Sequence, residues 1–373
     1  MTSRLVAPAY GEGSLVDLLP SVLGALGVAG ETDVVGLPPA QGYCVLLVDG
    51  LGWNQLREHA AIAPFLASLP GRSLTTPVPS TTAASIASLG TGLPPGRHGL
   101  VGYQSRIPGT TTLLNALEWD PAVDPSRYQP YPDVFARASR EGVTASVVSK
   151  RRFATSGLTR CALSGGDYRG ADTVGERVAA VEGAFDDADG GPALVYVYDS
   201  DLDATGHRHG PRSPEWRAQL RATDALAEQL VEALPPGIAL VVTGDHGMVD
   251  VSRDDHIDVE AIPGLTDEVA LIGGEARFRH VYTADGAAGR VAERWARRLG
   301  DRALVRTRDQ AVSEGWFGAV DGRVVERIGD VLVAALESYV CLVPSVWPRE
   351  SRMRGHHGSL TETEMLVPCL VSA

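Results

Sequence analysis

The chain has 373 residues, of which 44% are hydrophobic and 21% are charged. This balance is typical of a folded globular protein and excludes a chain that is disordered over most of its length. The 33 basic and 46 acidic side chains give a net charge of −13, which argues against nucleic acid as the main partner, because binding to a phosphate backbone requires a basic surface.

The first apolar stretch, residues 15–30, predicts an amphipathic helix that lies on the body of the protein. Asp17 and Pro20 interrupt it, and no basic segment of the kind that opens a signal peptide precedes it. The four cysteines lie far apart and form no CxxC pair, which predicts free thiols rather than a zinc ribbon or a disulfide framework. We therefore expect a cytoplasmic protein with no membrane as a partner.

Four short runs of continuous hydrophobic residues predict strands that are buried on both faces, as in a parallel sheet covered by helices. These runs are residues 43–48, 143–149, 193–198 and 238–243. Helical periodicity is found between them, over residues 132–141, 172–185 and 214–234, and Ser213 is placed to cap the last helix. This alternation predicts an α/β fold, with an open, mostly parallel sheet that carries helices on both faces.

The pattern changes after residue 250. Strand-like runs at 268–272, 277–283, 303–307 and 329–336 surround a helical pattern at 288–299. We interpret residues 255–335 as a small α+β lid inserted into a main domain of residues 1–254 and 336–373, with the last segment returning to the main sheet. Trp316 and Phe317 of the lid are candidates to stack on a base or a sugar, and packing inside the lid's own core is the alternative.

Acidic residues follow three of the four predicted strands. Asp49 follows the first, Asp199, Asp201 and Asp203 follow the third, and Asp245 follows the fourth. Ligands of open α/β sheets bind beyond the carboxyl ends of the strands. One acid at such a place is typical of a helix cap. Acids after three strands bring several negative charges into one crevice, which is unfavourable unless cations are bound.

Four of the nine histidines stand in acid-rich or paired contexts. His207 lies four residues after one of these acids, His246 directly follows another, and His356 and His357 are adjacent. Mixed Asp and His ligation suits zinc, and also manganese or iron. Such a set suits a site for two metal ions, which clamp the attacking and leaving oxygens of a phosphoryl transfer. For the other five histidines we expect surface or structural roles.

A cluster of hydroxyl side chains lies at the start of a further helical pattern. It contains Ser80, Thr81, Thr82 and Ser85. Hydroxyls at a helix N-terminus usually cap the helix. The same place also favours a phosphate, because free backbone N–H groups and the helix dipole attract an anion. A threonine held on a metal there becomes a competent nucleophile.

Together these motifs resemble the alkaline phosphatase superfamily, and within it the nucleotide pyrophosphatase/phosphodiesterase branch. They follow the family's order over about residues 45–370, which is nearly the whole chain. The motifs are Asp49-Gly50, Pro79-Ser-Thr-Thr82 followed by Thr91-Gly92-Leu93, His98-Gly99, Asp203-x-x-Gly-His207-x-x-Gly-Pro211, Asp245-His246-Gly247-Met248 and His357-Gly358.

The resemblance implies two divalent metal ions, with zinc preferred and manganese or iron as alternatives. Asp49, Thr82, Asp245 and His246 would surround one ion, and Asp203, His207 and His357 the other. The resemblance also implies that Thr82 attacks phosphorus to form a phosphothreonine, which water then hydrolyses. Tyr103 stands where the family usually has an asparagine that binds a phosphate oxygen, so we take Tyr103 as a substrate-binding residue and do not restrict the substrate to nucleotides.

We therefore expect a metal-dependent hydrolase of phosphodiester or pyrophosphate bonds. Its partner would be a phosphorylated small molecule, of which a nucleotide is one candidate, and not duplex nucleic acid. Phosphomonoester hydrolysis, phosphonate hydrolysis and a phosphomutase reaction on the same scaffold are alternatives. A catalytically silent binding protein is an alternative of another class. A sulfatase is disfavoured, because the chain has no CxPxR segment.

Overall fold

The computed structural model describes residues 4–372. Its strands are β1 (Gly42–Val48), β2 (Gly71–Thr75), β3 (Gln104–Arg106), β4 (Leu113–Asn115), β5 (Thr144–Ser149), β6 (Asp167–Gly170), β7 (Ala193–Asp199), β8 (Ile238–Gly244), β9 (Val249–Asp250), β10 (His256–Asp258), β11 (Val269–Glu275), β12 (Phe278–Thr283), β13 (Ala303–Thr307), β14 (Val331–Ala335), β15 (Val340–Leu342), β16 (Gly355–His356) and β17 (Leu366–Ser372). Its α-helices are α1 (Leu15–Ala25), α2 (Trp53–Glu58), α3 (Pro64–Ser68), α4 (Thr82–Thr91), α5 (Pro95–His98), α6 (Pro125–Tyr128), α7 (Val134–Arg140), α8 (Gly157–Ala162), α9 (Val174–Asp186), α10 (Asp201–His209), α11 (Pro214–Ala233), α12 (Ala288–Leu299), α13 (Arg308–Ser313) and α14 (Glu362–Met365).

The main sheet has seven strands in the order β2-β17-β8-β1-β7-β5-β6. The strands from β8 to β6 run parallel to one another, and β17 runs antiparallel to both of its neighbours. The four strands predicted from hydrophobic runs are β1, β5, β7 and β8. The expected α/β class and the largely parallel sheet are thus confirmed, and the C-terminal segment returns to the main sheet through β17.

Helices cover both faces of the main sheet, because successive side chains of β1 point into two different cores. Odd-numbered residues from 43 to 47 enter the core that contains α1, α4, α7 and α8. Even-numbered residues from 44 to 48 enter the core that contains α2, α3, α9 and α11. Ser213 caps α11 as predicted. The N-terminal helix ends at Ala25 rather than at residue 30, since Gly27 has a φ of 81° that a helix does not allow. No helix between residues 4 and 372 is both long and apolar enough to cross a membrane.

A second, antiparallel sheet has the strand order β11-β12-β14-β13. One of its faces packs against α12, with Trp295 fully buried between them. The other face shares a core with Trp316 and Phe317 and with Val78 from the segment before α4. Both predicted aromatic residues are therefore core residues and do not stack in an open site. The division into a catalytic domain (1–254 and 336–373) and a lid (255–335) stays a prediction.

A buried ion pair joins the second sheet to the segment that leads into β17. Arg277 Nε lies 2.7 Å from Glu364 Oε1, and both side chains are fully buried. Arg277 also donates to the carbonyls of Tyr339 and Ala335, so its charge is well matched by acceptors. Breaking one member of such a pair would leave an uncompensated buried charge.

Candidate active site

A cavity of about 700 Å³ opens at the carboxyl ends of the central strands of the main sheet. Asp49 directly follows β1, Asp245 directly follows β8, and Asp203 lies in the first turn of α10, which follows β7. The two other acids of this region, the last residue of β7 and the first residue of α10, have different partners. Asp199 forms a buried ion pair with Arg177, and Asp201 pairs with Lys150. One acid from each of the three strand ends therefore reaches the site.

Six of the predicted ligand residues form two groups, and within each group the ligand atoms lie within 4.8 Å of one another. The groups are Asp49, Asp245 and His246 on one side, and Asp203, His207 and His357 on the other. The rings of His246 and His357 stack with a centroid distance of 3.5 Å, so the two groups are adjacent. His356 lines the cavity but belongs to neither group.

A backbone carbonyl orients each of the three histidines through its Nδ1 atom. The Nδ1–O distances are 2.8 Å from His207 to Gly355, 3.0 Å from His246 to Gly247 and 2.9 Å from His357 to Ser80. The Nε2 atoms therefore face the carboxylates. His207 Nε2 lies 3.3 Å from Asp203, and His246 Nε2 lies 3.4 Å from Asp49. Metal-binding histidines are held in this way, with one ring nitrogen fixed by a hydrogen bond and the other free to ligate.

Each of the two groups contains a buried carboxylate oxygen that no donor among residues 4–372 satisfies. Asp203 Oδ1 and Asp245 Oδ2 are buried and have no hydrogen-bond partner among the described residues. Burial and the negative charges of Asp245 and Asp203 raise the pKa of Asp49 well above its usual range. Burial also raises the pKa of Asp245. Burial acts in the same direction on Asp203, but three neighbouring histidines outweigh it and lower that pKa. The donor set fits two divalent cations, which would partner these oxygens.

Two glycines of the motifs allow the strand ends to come this close. Gly50 has a φ of 76°, and a Cβ atom there would lie 3.0 Å from the Asp203 Cα atom. A Cβ atom on Gly206 would lie 2.4 Å from the sulfur of Met248. A larger residue at either position would therefore separate the motifs that carry the ligands.

Thr82 is the first residue of α4, and its side chain reaches the first group. Its Oγ1 atom lies 3.4 Å from Asp49 Oδ1 and 3.2 Å from His246 Nε2. Thr81 is the N-cap residue, yet its side chain makes no capping hydrogen bond. Ser80 instead holds the C-terminal segment, since its hydroxyl donates to the carbonyl of Ser359 at 2.6 Å. The N-terminus of α4, with its unpaired first amide groups, thus lies at the candidate metal site.

Tyr103 lines the same cavity and is partly buried. Its hydroxyl accepts a hydrogen bond from Asn115 Nδ2 at 2.8 Å. Asn115 Oδ1 in turn accepts from the amides of Leu117 and Glu118, at 3.0 and 3.2 Å. These bonds fix Asn115 as the donor, so the Tyr103 hydroxyl hydrogen is left for donation into the cavity. Burial raises the pKa of Tyr103, which keeps that hydrogen in place at neutral pH.

Two further residues of the cavity wall were not predicted from the sequence. The first is Tyr198, whose hydroxyl donates to Asp49 Oδ2. The alternation of side chains along β7 puts Tyr196 and Tyr198 on one face of the sheet, and this pattern could have indicated Tyr198 as a site residue. Glu275 ends β11, and burial raises its pKa to about 8, against a smaller opposing effect of the Thr81 hydroxyl. No motif marks Glu275, because it reaches the cavity from the second sheet.

Comparison with known proteins agrees with this geometry. The family model described as type I phosphodiesterase / nucleotide pyrophosphatase matches residues 43–360. The human ectonucleotide pyrophosphatase/phosphodiesterase family member 7 is 38% identical over 80 residues, which are 20% of this chain and 18% of that protein. A phosphopentomutase of Rhizobium meliloti (strain 1021) is 32% identical over 180 residues, which are 48% of this chain and 40% of that protein. The matched segments span less than half the length of either relative.

Solved structures show the same fold. An inactive threonine-to-alanine variant of murine ectonucleotide pyrophosphatase/phosphodiesterase 5, in complex with AMP, superposes with a TM-score of 0.69 and 18% identity. The similarity covers 88% of this chain and 87% of that one. The human protein of the same name gives the same TM-score. At this level of identity the similarity establishes the architecture.

Proposed function

The chain belongs to the type I phosphodiesterase / nucleotide pyrophosphatase family, and we propose that it is a metal-dependent hydrolase of phosphodiester or pyrophosphate bonds that acts through a phosphothreonine. The observation that carries this proposal is the position of the Thr82 hydroxyl, 3.4 Å from Asp49 and 3.2 Å from His246 at a helix N-terminus. A phosphorylated small molecule is the substrate class, and the AMP complex of the murine relative makes nucleotide esters the first candidates.

The two groups of ligands would each hold one divalent cation, with Thr82 as an additional ligand of the group that contains Asp49. Imidazole and carboxylate donors suit zinc best, and manganese or iron are the alternatives. When bound, the cations would neutralise charge on the phosphoryl oxygens and favour the deprotonated form of the oxygen nucleophiles.

Thr82 supplies the nucleophile of the first step. Its Oγ1 atom bonds to phosphorus, the bond from phosphorus to the departing oxygen breaks, and the proton of the threonine ends on the departing group. Hydrogen bonds from the N-terminal amides of α4 and from the Tyr103 hydroxyl strengthen as charge grows on the phosphoryl oxygens. Tyr198 keeps Asp49 beside Thr82 through its hydrogen bond to Asp49 Oδ2.

The second step uses one water molecule. Its oxygen bonds to the same phosphorus, the bond to Thr82 breaks, and one proton returns to the threonine hydroxyl. The net reaction consumes one water and converts a diester into an alcohol and a monoester, or a pyrophosphate into two phosphates. The two steps together therefore require no co-reactant other than water.

The test compares hydrolysis of bis(4-nitrophenyl) phosphate and 4-nitrophenyl phosphate in the presence of zinc or manganese. We expect the diester to be the better substrate. Thr82→Ala should lower turnover by about a thousandfold or more, whereas the neighbouring variant Thr81→Ala should change it much less. Mass spectrometry of a denatured reaction mixture should find the phosphoryl adduct on Thr82. Wild-type turnover by Thr82→Ala would overturn the proposal.

A phosphomutase reaction is the second candidate, supported by the 32% identity to a phosphopentomutase over 48% of this chain. A mutase passes the phosphoryl group between two hydroxyls of a sugar phosphate without net hydrolysis. Phosphorus NMR of ribose 1-phosphate with the metal-loaded protein separates the two reactions, because a mutase forms ribose 5-phosphate and a hydrolase forms inorganic phosphate.

The cytoplasmic location stays a prediction. It is supported by the four cysteines, which are all buried and form no disulfide, as is usual for proteins of reducing compartments. Cell fractionation with an antibody against the protein would test it.

A further inference from the structure

Glu275 is a buried carboxylate of the cavity wall that the mechanism above does not use. It is the last residue of β11, and only 8% of its surface is exposed. Neither of its carboxylate oxygens has a hydrogen-bond partner among residues 4–372. A buried charged group without a partner is unfavourable, so its persistence at the wall of a catalytic cavity indicates a place for a ligand.

No arginine or lysine among the described residues forms an ion pair with Glu275, and burial outweighs the smaller effects of Thr81, Arg279 and the Tyr103 amide on its pKa. The guanidinium of Arg279 acts on it from a distance, but the donors of that group are engaged by the Glu350 carboxylate and the Cys341 carbonyl. Thr81 on one side and Gly358 on the other are neutral. A Cβ atom on Gly358 would lie 2.7 Å from Glu275 Cγ, so this carboxylate packs directly against the segment that carries a candidate metal ligand.

The remaining lining of the cavity is acidic. Of the described residues that line it, Arg349 is the only arginine or lysine; Glu118 adds a further negative charge, whereas the charge of Glu350 is paired with Arg279. The aspartates of the metal groups would be matched by the cations that they hold, so the carboxylates of Glu275 and Glu118 are the acidic groups of the outer cavity that no cation among the described residues pairs with. Within the described lining, a second phosphate group on the substrate could pair there only with the exposed side chain of Arg349. A positively charged group could instead bind to the Glu275 carboxylate and to the face of the Tyr103 ring.

We infer that Glu275 forms a subsite for a protonated primary amine carried by one ester group of the substrate; this inference rests on the proposed phosphodiesterase function. The N–H donors of an ammonium group can satisfy both carboxylate oxygens of Glu275. Its positive charge also matches the negative charge of this carboxylate, which no described cation of the cavity wall pairs with. The substrate class is therefore a phosphodiester of an amino alcohol, in preference to a pyrophosphate that carries additional negative charge.

Three phosphonates of matched length test the subsite without depending on turnover. 2-Aminoethyl-, 2-hydroxyethyl- and propylphosphonate share the anionic head and end in an ammonium, a hydroxyl and a methyl group. Their affinities for the metal-loaded protein are measured by calorimetry, and as inhibition constants against bis(4-nitrophenyl) phosphate, at about pH 9, where the amine is still protonated and Glu275 is charged. We expect the aminoethyl compound to bind at least about tenfold more tightly than the propyl compound.

Glu275→Gln should reduce this ratio to less than about threefold. Glu118→Gln removes an exposed acid of the same cavity and should leave the ratio unchanged, because water screens that charge. Equal affinity of the wild-type protein for the aminoethyl and propyl compounds would overturn the inference, even if the Glu275 variant does not fold. Equal affinity of the wild-type protein for the aminoethyl and hydroxyethyl compounds would also overturn it. So would a folded Glu275→Gln variant that still prefers the aminoethyl over the propyl compound by about tenfold. Failure of the proposed function is distinct: the diester is then not hydrolysed, while calorimetry still reports the subsite.

Discussion

Tyr103→Phe removes one hydroxyl from the cavity and changes little else. Asn115 Nδ2 donates to this hydroxyl at 2.8 Å, and the Asn115 carbonyl oxygen is held by two backbone amides. The phenol hydrogen therefore has one remaining direction, toward the cavity that also contains Thr82. If it donates to a phosphoryl oxygen, the bond strengthens in the transition state, and the variant loses one donor to a charged group.

A donor to a charged group contributes about 1.5–3 kcal/mol, which corresponds to a loss of roughly 10- to 100-fold in kcat/KM. The effect on the free energy of unfolding should be smaller, about 1 kcal/mol, because the Asn115 amide lies near the cavity and can find water instead. A structural role for the tyrosine makes the opposite prediction, with unchanged kinetics and a lower melting temperature in Tyr103→Ala.

The assay measures kcat/KM on bis(4-nitrophenyl) phosphate together with the melting temperature. Asn115→Asp is the matched variant, since an aspartate accepts the phenol hydrogen and so withdraws it from the substrate although the tyrosine is intact. It should lower kcat/KM by a similar factor, and the double variant should show little further loss. Unchanged kcat/KM in Tyr103→Phe would remove Tyr103 from the donors of the reaction and refute the argument from Asn115.

Elemental analysis should find about two divalent ions per chain, and chelation should abolish hydrolysis until zinc or manganese is restored; full activity in chelator would contradict the two-metal site. Asp49→Ala should lose both metal and activity, whereas His209→Ala, at the exposed end of α10, should retain both. Because burial and neighbouring carboxylates raise the pKa of Asp49, metal binding should release protons and weaken as the pH falls below neutrality, which calorimetry in buffers of different ionisation enthalpy would detect; an affinity independent of pH would count against this. Arg277→Met should lower the free energy of unfolding by about 3 kcal/mol in urea titrations, because Glu364 then keeps a buried charge without a partner, and adding Glu364→Gln should recover most of that loss.

The central strands could be predicted from the sequence because they are buried on both faces. β1, β5, β7 and β8 therefore appear as continuous hydrophobic runs. The flanking strands β2 and β6 carry no such run: β2 begins with two exposed residues, and β6 begins with an exposed aspartate. Their place in the sheet is decided by pairing, of β2 with the C-terminal strand β17 and of β6 with β5, which no hydrophobic run records.

The same difference separates the predicted site residues from those that the structure adds. Asp49 and Asp245 directly follow parallel strands, so strand direction alone brings them to one edge. Asn115 and Glu275 reach the cavity from a short hairpin strand and from the second sheet, and their importance depends on a hydrogen bond in one case and on a missing partner in the other. Neither property is visible before the tertiary packing is known.

The charges of the cavity support the diester over the monoester by an argument independent of the family. Two divalent cations held by Asp49, Asp203 and Asp245 would leave about one positive charge at the centre while Thr82 keeps its proton. A phosphodiester carries one negative charge and matches it, whereas a monoester near neutral pH carries nearly two. At about pH 9, where Glu275 is charged, the excess negative charge would meet this carboxylate rather than a basic residue, since only Arg349 among the described lining residues is an arginine or lysine. The Glu275 carboxylate would thus discriminate against the dianion, and Glu275→Gln should narrow the preference for the diester over the monoester at that pH.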